Sequence, residues 1–339
     1  MPVSSIQEVL SDFSKGKMVV IVDDIFRENE GDLVIAADFV TPEAINFMAI
    51  HGRGCVCVPL SGEMCDRLNF YPMVPTSPLG STAFTVAVDA SSGITTGMSA
   101  HDRYVTVYKM LSPDAVPDDF KRPGHVFPLR AFDGGVLVRS GHTEASVDLC
   151  RAANLSPAAV ICEVINDDGS MSRLPDLEKF ALRHGLKIGL IEELVDYRLN
   201  NEQILSFSDE FSLCNNISVR QYCDLVDGCV WCVVCRSDAL HGEGDLLISK
   251  GFFGDVSMSE DVSATLMKRM NGLLPEEGTV GLFRLIKGSL GMLFKDLSKI
   301  SSLDVMFKRT EAALDFIAKD VSLTRVDLSF DDWKACFDL

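Results

Sequence analysis

Short apolar runs rich in β-branched residues alternate along the first half of the chain with segments of helical spacing. Runs 18–22 and 33–37 are too short for helices and predict buried strands. Segment 6–17 repeats its apolar residues every three or four positions, which predicts a helix. Thr41 followed by Pro42 predicts the start of another helix over 41–51. Further strands are predicted at 55–58, 83–89, 126–131, 135–138, 160–164 and 186–190, and further helices at 99–111, 143–153, 174–184 and 191–198.

The order of these elements predicts an α+β fold for residues 1–200, a layered α/β domain with a mixed sheet and flanking helices. A chain of 339 residues is long for one core and sufficient for two domains. The largely polar stretch 201–213 is predicted as a linker, and 214–339 as a smaller α+β domain. The elements predicted there are strands at 230–234, 245–248 and 280–286, a helix at 258–270 and two helices after the last strand.

Charge and composition narrow the choice of partners. The net charge of −18 argues against nucleic acids and anionic membrane surfaces, and 47% hydrophobic with 24% charged residues is typical of a soluble globular protein. No apolar stretch approaches the roughly 20 residues that span a bilayer, and segment 1–17 lacks the apolar core of a secretory signal. Eleven cysteines in a chain of this class fit a reducing compartment, so a cytoplasmic location is expected.

An acidic turn with five carboxylates and one arginine connects the first two predicted strands. In an extended chain Glu28, Glu30 and Asp32 share one face, where like charges repel unless a cation neutralises them. Arg27 supplies only part of that positive charge, and a hard divalent cation such as Mg²⁺ would supply the rest. A solvated acidic turn, with Gly31 free to adopt a positive φ, explains the same spacing, so both interpretations stay open at this point.

Residues 134–144 predict a strand that ends at Arg139, a tight turn and a helix that starts near Thr143. Backbone amides at a helix N-terminus bind anions, and a neighbouring arginine pairs bidentately with phosphate. His142 at this corner is either a metal ligand or general base, or a helix residue that only hydrogen-bonds a neighbour.

Two other side chains have both a functional and a structural interpretation. Pro123 and Pro128 stiffen the backbone on either side of His125, which suits an accurately placed imidazole and equally a rigid structural turn. Glu163 lies within an apolar run that predicts a buried strand. A buried acid of this kind is either functional or held in a structural salt bridge.

Four segments, in order along the chain, together resemble one family, 3,4-dihydroxy-2-butanone 4-phosphate synthase. The segments are Arg27-Glu28-Asn29-Glu30-Gly31-Asp32, Gly93-Ile94-Thr95-Thr96-Gly97-Met98-Ser99, 122–129 and 139–144. The resemblance extends over about 6–198 and implies a Mg²⁺-dependent lyase of riboflavin biosynthesis that converts D-ribulose 5-phosphate to L-3,4-dihydroxy-2-butanone 4-phosphate and formate. It also implies a homodimer whose sites draw on both subunits, and it leaves open whether Mn²⁺ replaces Mg²⁺.

The resemblance assigns roles to individual residues. It implies that Glu28 and His142 are the protein ligands of Mg²⁺. The residues that it implies in catalysis are His125, Glu163, Glu30 and Cys57. The residues that it implies in substrate binding are Arg27, Glu28, Asp32, Thr96, Arg139, Ser140, Gly141, His142 and Thr143. One carboxylate and one imidazole leave coordination positions open for substrate oxygens and water, as a catalytic Mg²⁺ site requires.

The C-terminal part resembles GTP cyclohydrolase II, to which this synthase is fused in many bacteria and plants. The segments that carry this resemblance are 237–242, 246–251, 275–282 and 288–293. The cyclohydrolase family holds Zn²⁺ with three cysteines, whereas 245–335 contains no cysteine, so neither zinc nor cyclohydrolase activity is expected. Cys229, Cys232 and Cys235 fall on a predicted strand that turns them to different faces, which favours free core cysteines over a metal site.

Two alternatives accompany the synthase interpretation. A bifunctional enzyme would also open GTP, and it would release formate from GTP with stoichiometric zinc. A non-catalytic regulatory homologue would not need metal ligands and catalytic groups. The argument against that second alternative is the joint presence of Arg27, Glu28, His125, His142 and Glu163.

Overall fold

The computed structural model describes residues 3–74, 81–214, 217–228, 230–236, 245–247, 279–285 and 303–320. The chain divides into a first unit, Met1–Arg198, and a second unit, Leu199–Lys299 with Leu303–Leu339. None of the helices in the described ranges has the length and hydropathy needed to cross a bilayer.

The first unit is built around a mixed sheet. Its strands are β1 (Val19–Val22), β2 (Gly31–Ala36), β3 (Cys57–Leu60), β4 (Val88–Ala90), β5 (Phe120–Arg130), β6 (Ala159–Glu163) and β7 (Ile188–Leu190). Its helices are α1 (Ile6–Phe13), α2 (Pro42–Phe47), α3 (Gly62–Arg67), α4 (Ala100–Leu111), α5 (His142–Ala152), α6 (Leu174–His184) and α7 (Ile191–Asn201). Among the described residues the strand order is β4-β5-β3-β6-β2-β1-β7. The predicted α+β class, with a mixed sheet and flanking helices, is confirmed.

Helices cover both faces of this sheet. Strands β1, β2 and β3 are buried along their whole length, which explains why they are continuous apolar runs rather than alternating ones. On one face Val20 and Leu33 join a core cluster that includes Leu177 of α6. On the other face Ile21 and Val9 of α1 both lie against Gly189.

The sheet register brings acidic and thiol side chains to one end. Strands β2 and β6 are antiparallel, and Asp32 pairs with Glu163. Strand β3 begins at Cys57, which pairs with Ile161 of β6 and with Phe127 of β5. Because β6 ends where β2 and β3 begin, these side chains converge at one end of the strands.

Helix α5 starts at the same end of the sheet, and its first residue is not preceded by a side-chain cap. Ser5, Thr41 and Ser99 each accept a hydrogen bond from a backbone amide at the start of a helix. Helix α5 follows Gly141 and has no such side-chain cap. Its first amides are therefore available to a ligand rather than to a cap.

One predicted strand in this unit is wrong. Residues 135–138 were expected to be extended, but Gly135–Leu137 form a 3₁₀ turn. Gly135 adopts a φ of 62°, and a carboxylate oxygen of Asp148 accepts a hydrogen bond from the Val136 amide at 2.8 Å. A tertiary hydrogen bond of this kind overrides the strand propensity of a short apolar run.

The second unit contains a separate sheet. Its elements are β8 (Leu205–Cys214), β9 (Ile217–Asp224), β10 (Val230–Arg236), β11 (Asp245–Leu247), β12 (Thr279–Leu285) and α8 (Leu303–Asp320). The described strands lie in the order β11-β12-β10-β9-β8. Cys232 and Cys235 lie on β10, whereas Cys229 and the helix predicted at 258–270 fall outside the described residues.

The stretch predicted as a linker, 201–213, is instead largely the strand β8. This strand pairs antiparallel with β9 along its length and lies at the end of the strand order. Residues 207–210 are exposed. A solvated edge strand takes polar residues on its open face, so its composition resembles that of a linker.

Candidate active site

A cavity of about 210 Å³ opens at the end of the sheet where strands β2, β3 and β6 meet the start of α5. Its lining residues are Arg27, Glu28, Glu30, Asp32, Cys57, Thr82, Phe84, Leu129, Arg139, His142, Thr143, Ile161 and Glu163. Most of the candidate residues taken from the sequence are therefore brought together, although they come from segments far apart in the chain. The candidates outside this lining are Thr96, His125, Ser140 and Gly141.

Asp23 organises the acidic turn. One of its carboxylate oxygens accepts hydrogen bonds from the Arg27 guanidinium at 2.6 Å and from the Glu28 amide at 3.3 Å. The other oxygen accepts one from the Glu30 amide at 2.8 Å. Asp23 is buried, so these bonds fix the turn that presents Glu28 and Glu30 to the cavity.

The turn uses its glycine differently from what the sequence suggested. Asn29, rather than Gly31, has the positive φ, of 54°. Gly31 is the first residue of β2, and a Cβ atom there would collide with the side chain of Leu177. Gly31 is thus required for close packing of α6 against the sheet.

Three side chains are close enough to hold one cation. Asp23, Glu28 and His142 each offer a ligand atom, and these atoms lie within 4.8 Å of one another. The Nε2 atom of His142 lies 3.2 Å from the carbonyl oxygen of Ile21, a contact that orients the ring and leaves Nδ1 to coordinate. Asp23 accepts hydrogen bonds on both oxygens and the Glu28 carboxylate lies 2.9 Å from the Arg27 guanidinium, so all three groups are candidate ligands.

The acids around this point favour a bound cation. Burial raises the pKa of Asp32 to about 7, and burial followed by the charge of Glu28 raises the pKa of Glu30. The Oδ1 atom of Asp32 is buried and has no hydrogen-bond partner among the described residues. Carboxylates whose ionised form is disfavoured in this way fit Mg²⁺, which would supply the missing positive charge.

The cavity also has a basic region at the start of α5, next to the candidate cation site. Arg139 is buried and forms a salt bridge of 2.5 Å with the buried carboxylate of Glu144, which also accepts a hydrogen bond from the Phe132 amide at 3.1 Å. A Cβ atom at Gly141 would meet the guanidinium of Arg139 and lie 3.0 Å from that of Arg27. Two guanidinium groups therefore flank the uncapped start of α5, an arrangement suited to a phosphate group.

Glu163 and Cys57 are two further candidate residues in the lining, and each has a defined contact within the site. The carboxylate of Glu163 accepts a hydrogen bond from the Cys55 amide at 2.7 Å. A hydrogen bond with the Cys55 thiol and burial raise the pKa of Cys57, so Cys57 is a neutral thiol rather than a thiolate nucleophile.

His125 and Thr96 belong to a second group of side chains. The Nδ1 atom of His125 lies 2.7 Å from a carboxylate oxygen of Asp89. Thr96 lies in a loop held by Asp102, which accepts a hydrogen bond from the Thr95 hydroxyl at 2.7 Å. The sequence reasoning missed Asp89 and Asp102, which lie on either side of the quoted segment 93–99, in β4 and in the first turn of α4.

Comparison with known proteins identifies the family. The family model of 3,4-dihydroxy-2-butanone 4-phosphate synthase matches residues 7–197. The chain belongs to this family.

Relatives of this synthase match the first unit most strongly. The chain is 57% identical over 206 residues to the 3,4-dihydroxy-2-butanone 4-phosphate synthase of Neisseria meningitidis serogroup A, and this match covers 60% of this chain and 56% of the relative. It is 56% identical over 206 residues to the riboflavin biosynthesis protein RibBA of Aquifex aeolicus, with coverage of 60% and 50%. The chain thus spans about half the length of the curated relatives that it matches.

Solved structures extend the similarity to both units. RibBX, a two-domain 3,4-dihydroxy-2-butanone 4-phosphate synthase from A. baumannii, has a TM-score of 0.75 at 35% identity, and the match covers 96% of this chain and 94% of that one. A synthase crystallised in complex with two magnesium ions has a TM-score of 0.56 at 44% identity, and the match covers 58% and 98%.

Proposed function

We propose that this chain is a Mg²⁺-dependent lyase of riboflavin biosynthesis that converts D-ribulose 5-phosphate to L-3,4-dihydroxy-2-butanone 4-phosphate and formate. The observation that carries this proposal is the joint placement, around one cavity, of an acidic cation site and two guanidinium groups beside an uncapped helix start. A phosphorylated sugar that is held by a metal has a phosphate group that is complementary to the guanidinium groups. Its hydroxyl and carbonyl oxygens are complementary to the cation.

In this proposal Arg27, Arg139 and the first amides of α5 bind the phosphate group. The salt bridge between Arg139 and Glu144 holds one guanidinium in place before substrate arrives. Thr143, Ser140 and Gly141 border the same corner. A fixed phosphate sets the position of the carbon chain across the cavity, which reduces the entropy lost in the reaction.

Glu28 and His142 would hold the Mg²⁺ ion. When bound, Mg²⁺ supplies Lewis acidity that polarises a substrate carbonyl and orients neighbouring hydroxyl groups. The ligand pair leaves positions for substrate and water, in agreement with the ordinary coordination of Mg²⁺.

The protein moves protons with the carboxylates that face the substrate. Glu30 and Glu163, which line the cavity, are the candidates for proton transfer from a carbon next to a carbonyl. Asp32 faces the substrate in the same cavity, and the neutral thiol of Cys57 borders the reacting carbons. The atoms of the sugar phosphate divide fully between the ketone phosphate and formate, so the conversion requires neither an oxidant nor added water.

The assay that tests this proposal is formate release from D-ribulose 5-phosphate, with Mg²⁺ and after its removal by a chelator. We expect Mg²⁺-dependent turnover by the intact protein and a loss of at least about a thousandfold in Glu28→Ala, several kcal/mol of transition-state stabilisation. Glu43→Ala, which removes an exposed carboxylate on α2, serves as the control and retains activity. Intact protein without turnover would favour a non-catalytic homologue instead.

We also propose that the active protein is a homodimer in which Thr96 and His125 reach the cavity of the second subunit. Support comes from their absence from the lining within one chain. A mixture of Glu28→Ala and His125→Ala would then recover about a quarter of the activity, because half of random dimers contain one complete site. Glu28→Ala mixed with His142→Ala, whose residues share one cavity, should recover none. Equal results from both mixtures would contradict the shared site.

For the second unit we propose that GTP cyclohydrolase activity is absent. The absence of cysteine from 245 to 335 supports this, because three cysteines hold zinc in the cyclohydrolase family that the segment resembles. Incubation with GTP should release no formate, and the purified protein should contain no stoichiometric zinc. GTP-dependent formate release together with zinc would establish the bifunctional alternative. A cytoplasmic location and the use of Mn²⁺ remain predictions from the sequence.

A further inference from the structure

His125 is joined to a buried aspartate by two hydrogen bonds. Asp89 is the central residue of β4, the neighbour of β5 in the sheet. One of its carboxylate oxygens accepts a hydrogen bond from the His125 amide at 2.9 Å, and the other lies 2.7 Å from the Nδ1 atom of the imidazole. The side chain of His125 is 44% exposed, whereas that of Asp89 is 10% exposed.

This geometry determines the tautomer of the imidazole. An ionised carboxylate only accepts hydrogen bonds, so the proton of a neutral His125 ring lies on Nδ1. The Nε2 atom then keeps its lone pair on the exposed side of the ring, where it is able to accept a proton. The hydrogen bond from the His125 amide holds the Asp89 carboxylate beside the ring. Rotation of the ring away from Asp89 would lose the charge-assisted hydrogen bond at Nδ1.

The loop that carries Thr96 closes over this pair. Gly97 has a φ of 94°, and a Cβ atom there would lie 2.6 Å from Nδ1 of His125 and would also collide with the Asp89 carboxylate. Asp102 holds the loop in this position, since its carboxylate accepts hydrogen bonds from the Thr95 hydroxyl at 2.7 Å and from the Gly97 amide at 3.0 Å. A glycine is needed at this position because the loop backbone contacts both members of the pair.

We propose that Asp89 is a positioning residue that holds His125 as the Nδ1–H tautomer, with Nε2 directed to the reacting substrate as a proton acceptor. This inference rests on the proposed function, in which His125 reaches the cavity of the second subunit, and on the catalytic role that the family resemblance implies for His125. It gives a specific reason for the packing of Gly97 and for the buried carboxylate on β4, neither of which is explained by the cavity itself.

The test is the Asp89→Asn variant, which has nearly the same shape and no charge. An asparagine amide is able to donate to Nδ1 and so stabilises the Nε2–H tautomer, which has no lone pair on the reactive side. We expect kcat to fall by about 10²–10⁴-fold while KM changes by less than about threefold, because substrate binding does not depend on Asp89. The matched control is Asp66→Asn, whose residue pairs with Arg130 at the end of β5, and it should retain kcat.

Long-range proton–nitrogen NMR correlations of the imidazole rings supply a readout that a purely structural role would not change. The chain contains six histidines, and His125→Asn identifies the signal of His125. We expect protonated Nδ1 and unprotonated Nε2 in the intact protein, and a shift of population toward Nε2–H in Asp89→Asn.

Two results would overturn the proposal. One is a kcat of Asp89→Asn within threefold of the intact protein. The other is a large loss of kcat with an unchanged tautomer, which would indicate a structural role for Asp89. Failure of the proposed function has a different signature, because the intact protein would then lack turnover while the NMR spectra would still show the Nδ1–H tautomer.

Discussion

Each unit of this protein contains an arginine paired with a buried carboxylate, but the two pairs have different surroundings. In the first unit Arg139 pairs with Glu144 at the start of α5, next to the cavity. In the second unit Arg309 of α8 pairs with Asp224 at 3.1 Å, and Asp224 also accepts a hydrogen bond from the indole of Trp231 at 3.2 Å.

The difference separates a charge pair that supports a site from one that supports packing. Around Asp224 the donors come from the turn after β9, from β10 and from α8 of the same unit, and Arg309 also contacts Asp227. Arg139 lines a cavity together with Asp32, whose buried Oδ1 atom has no hydrogen-bond partner in the part of the chain that the structure describes. A buried polar group that lacks a partner costs free energy, and at a functional site the ligand removes that cost.

The largest expected effect on stability is that of Arg139→Leu. Removal of the guanidinium leaves Glu144 buried without its cation, so the free energy of unfolding should fall by about 3–5 kcal/mol. The double variant Arg139→Leu with Glu144→Leu should recover most of that stability, because an apolar pair replaces an ionic one at little cost. Formate release should remain absent in the double variant.

The two units can be followed separately in this measurement. Both tryptophans of the chain, Trp231 and Trp333, belong to the second unit, so urea unfolding by tryptophan fluorescence reports that unit. Far-ultraviolet circular dichroism reports both. Recovery of activity together with stability in the double variant would show that Arg139 acts only through packing.

An intermediate effect is expected from Asp32, and it depends on pH. Burial raises the pKa of Asp32 to about 7, whereas in the unfolded chain the group titrates near its ordinary value of about 4. Between about pH 4 and pH 7 the folded protein binds the Asp32 proton more tightly than the unfolded chain does. The stability that this protonated carboxyl contributes is therefore lost as pH rises toward 7. In the absence of Mg²⁺, Asp32→Asn should therefore gain Tm relative to the intact protein from about pH 4 to pH 7 and stay level above that.

That comparison has a direct control. Asp12→Asn removes an acid that pairs with Lys17 at the surface, and its Tm difference from the intact protein should vary little over the same pH range. A flat difference for Asp32→Asn as well would show that Asp32 is ionised throughout and already compensated.

The smallest expected effect is that of Asp224→Asn in the second unit. Loss of one charged partner of Arg309 and Trp231 should lower the stability of that unit by about 1–3 kcal/mol, measured by tryptophan fluorescence. Formate release at 25 °C should be unchanged. Loss of activity in a variant whose first unit remains folded would contradict this comparison, because the pair of Asp224 and Arg309 would then support the site and not only packing.

The sequence predicted the parts of this fold that depend on local pattern. Strands β1 and β2 were predicted because continuous β-branched runs mark strands buried on both faces. The role of Gly31 was not, because it depends on Leu177, which packs against it from a distant helix. The exposed edge strand β8 was taken for a linker, since a polar composition alone does not distinguish a solvated strand from a loop.

For the candidate site, local reasoning reached the side chains but not their supports. The acidic turn and the helix start left the roles of Glu28 and His142 open, and the family resemblance implied that both are ligands. The structure places ligand atoms of both within 4.8 Å. Asp23, Glu144 and Asp89 act through hydrogen bonds to backbone amides or to partners on other elements. No spacing rule in one sequence records such contacts.

The separation of Glu28 and His142 along the chain has a thermodynamic consequence. One precedes β2 and the other begins α5, so the two side chains meet only when α5 packs against β1 and β2 in the folded unit. An unfolded chain has no comparable site, and any cation that binds Glu28 and His142 therefore adds its binding free energy to the stability of the native state. The concentration of free Mg²⁺ would thus act on the lifetime of the folded protein as well as on its turnover.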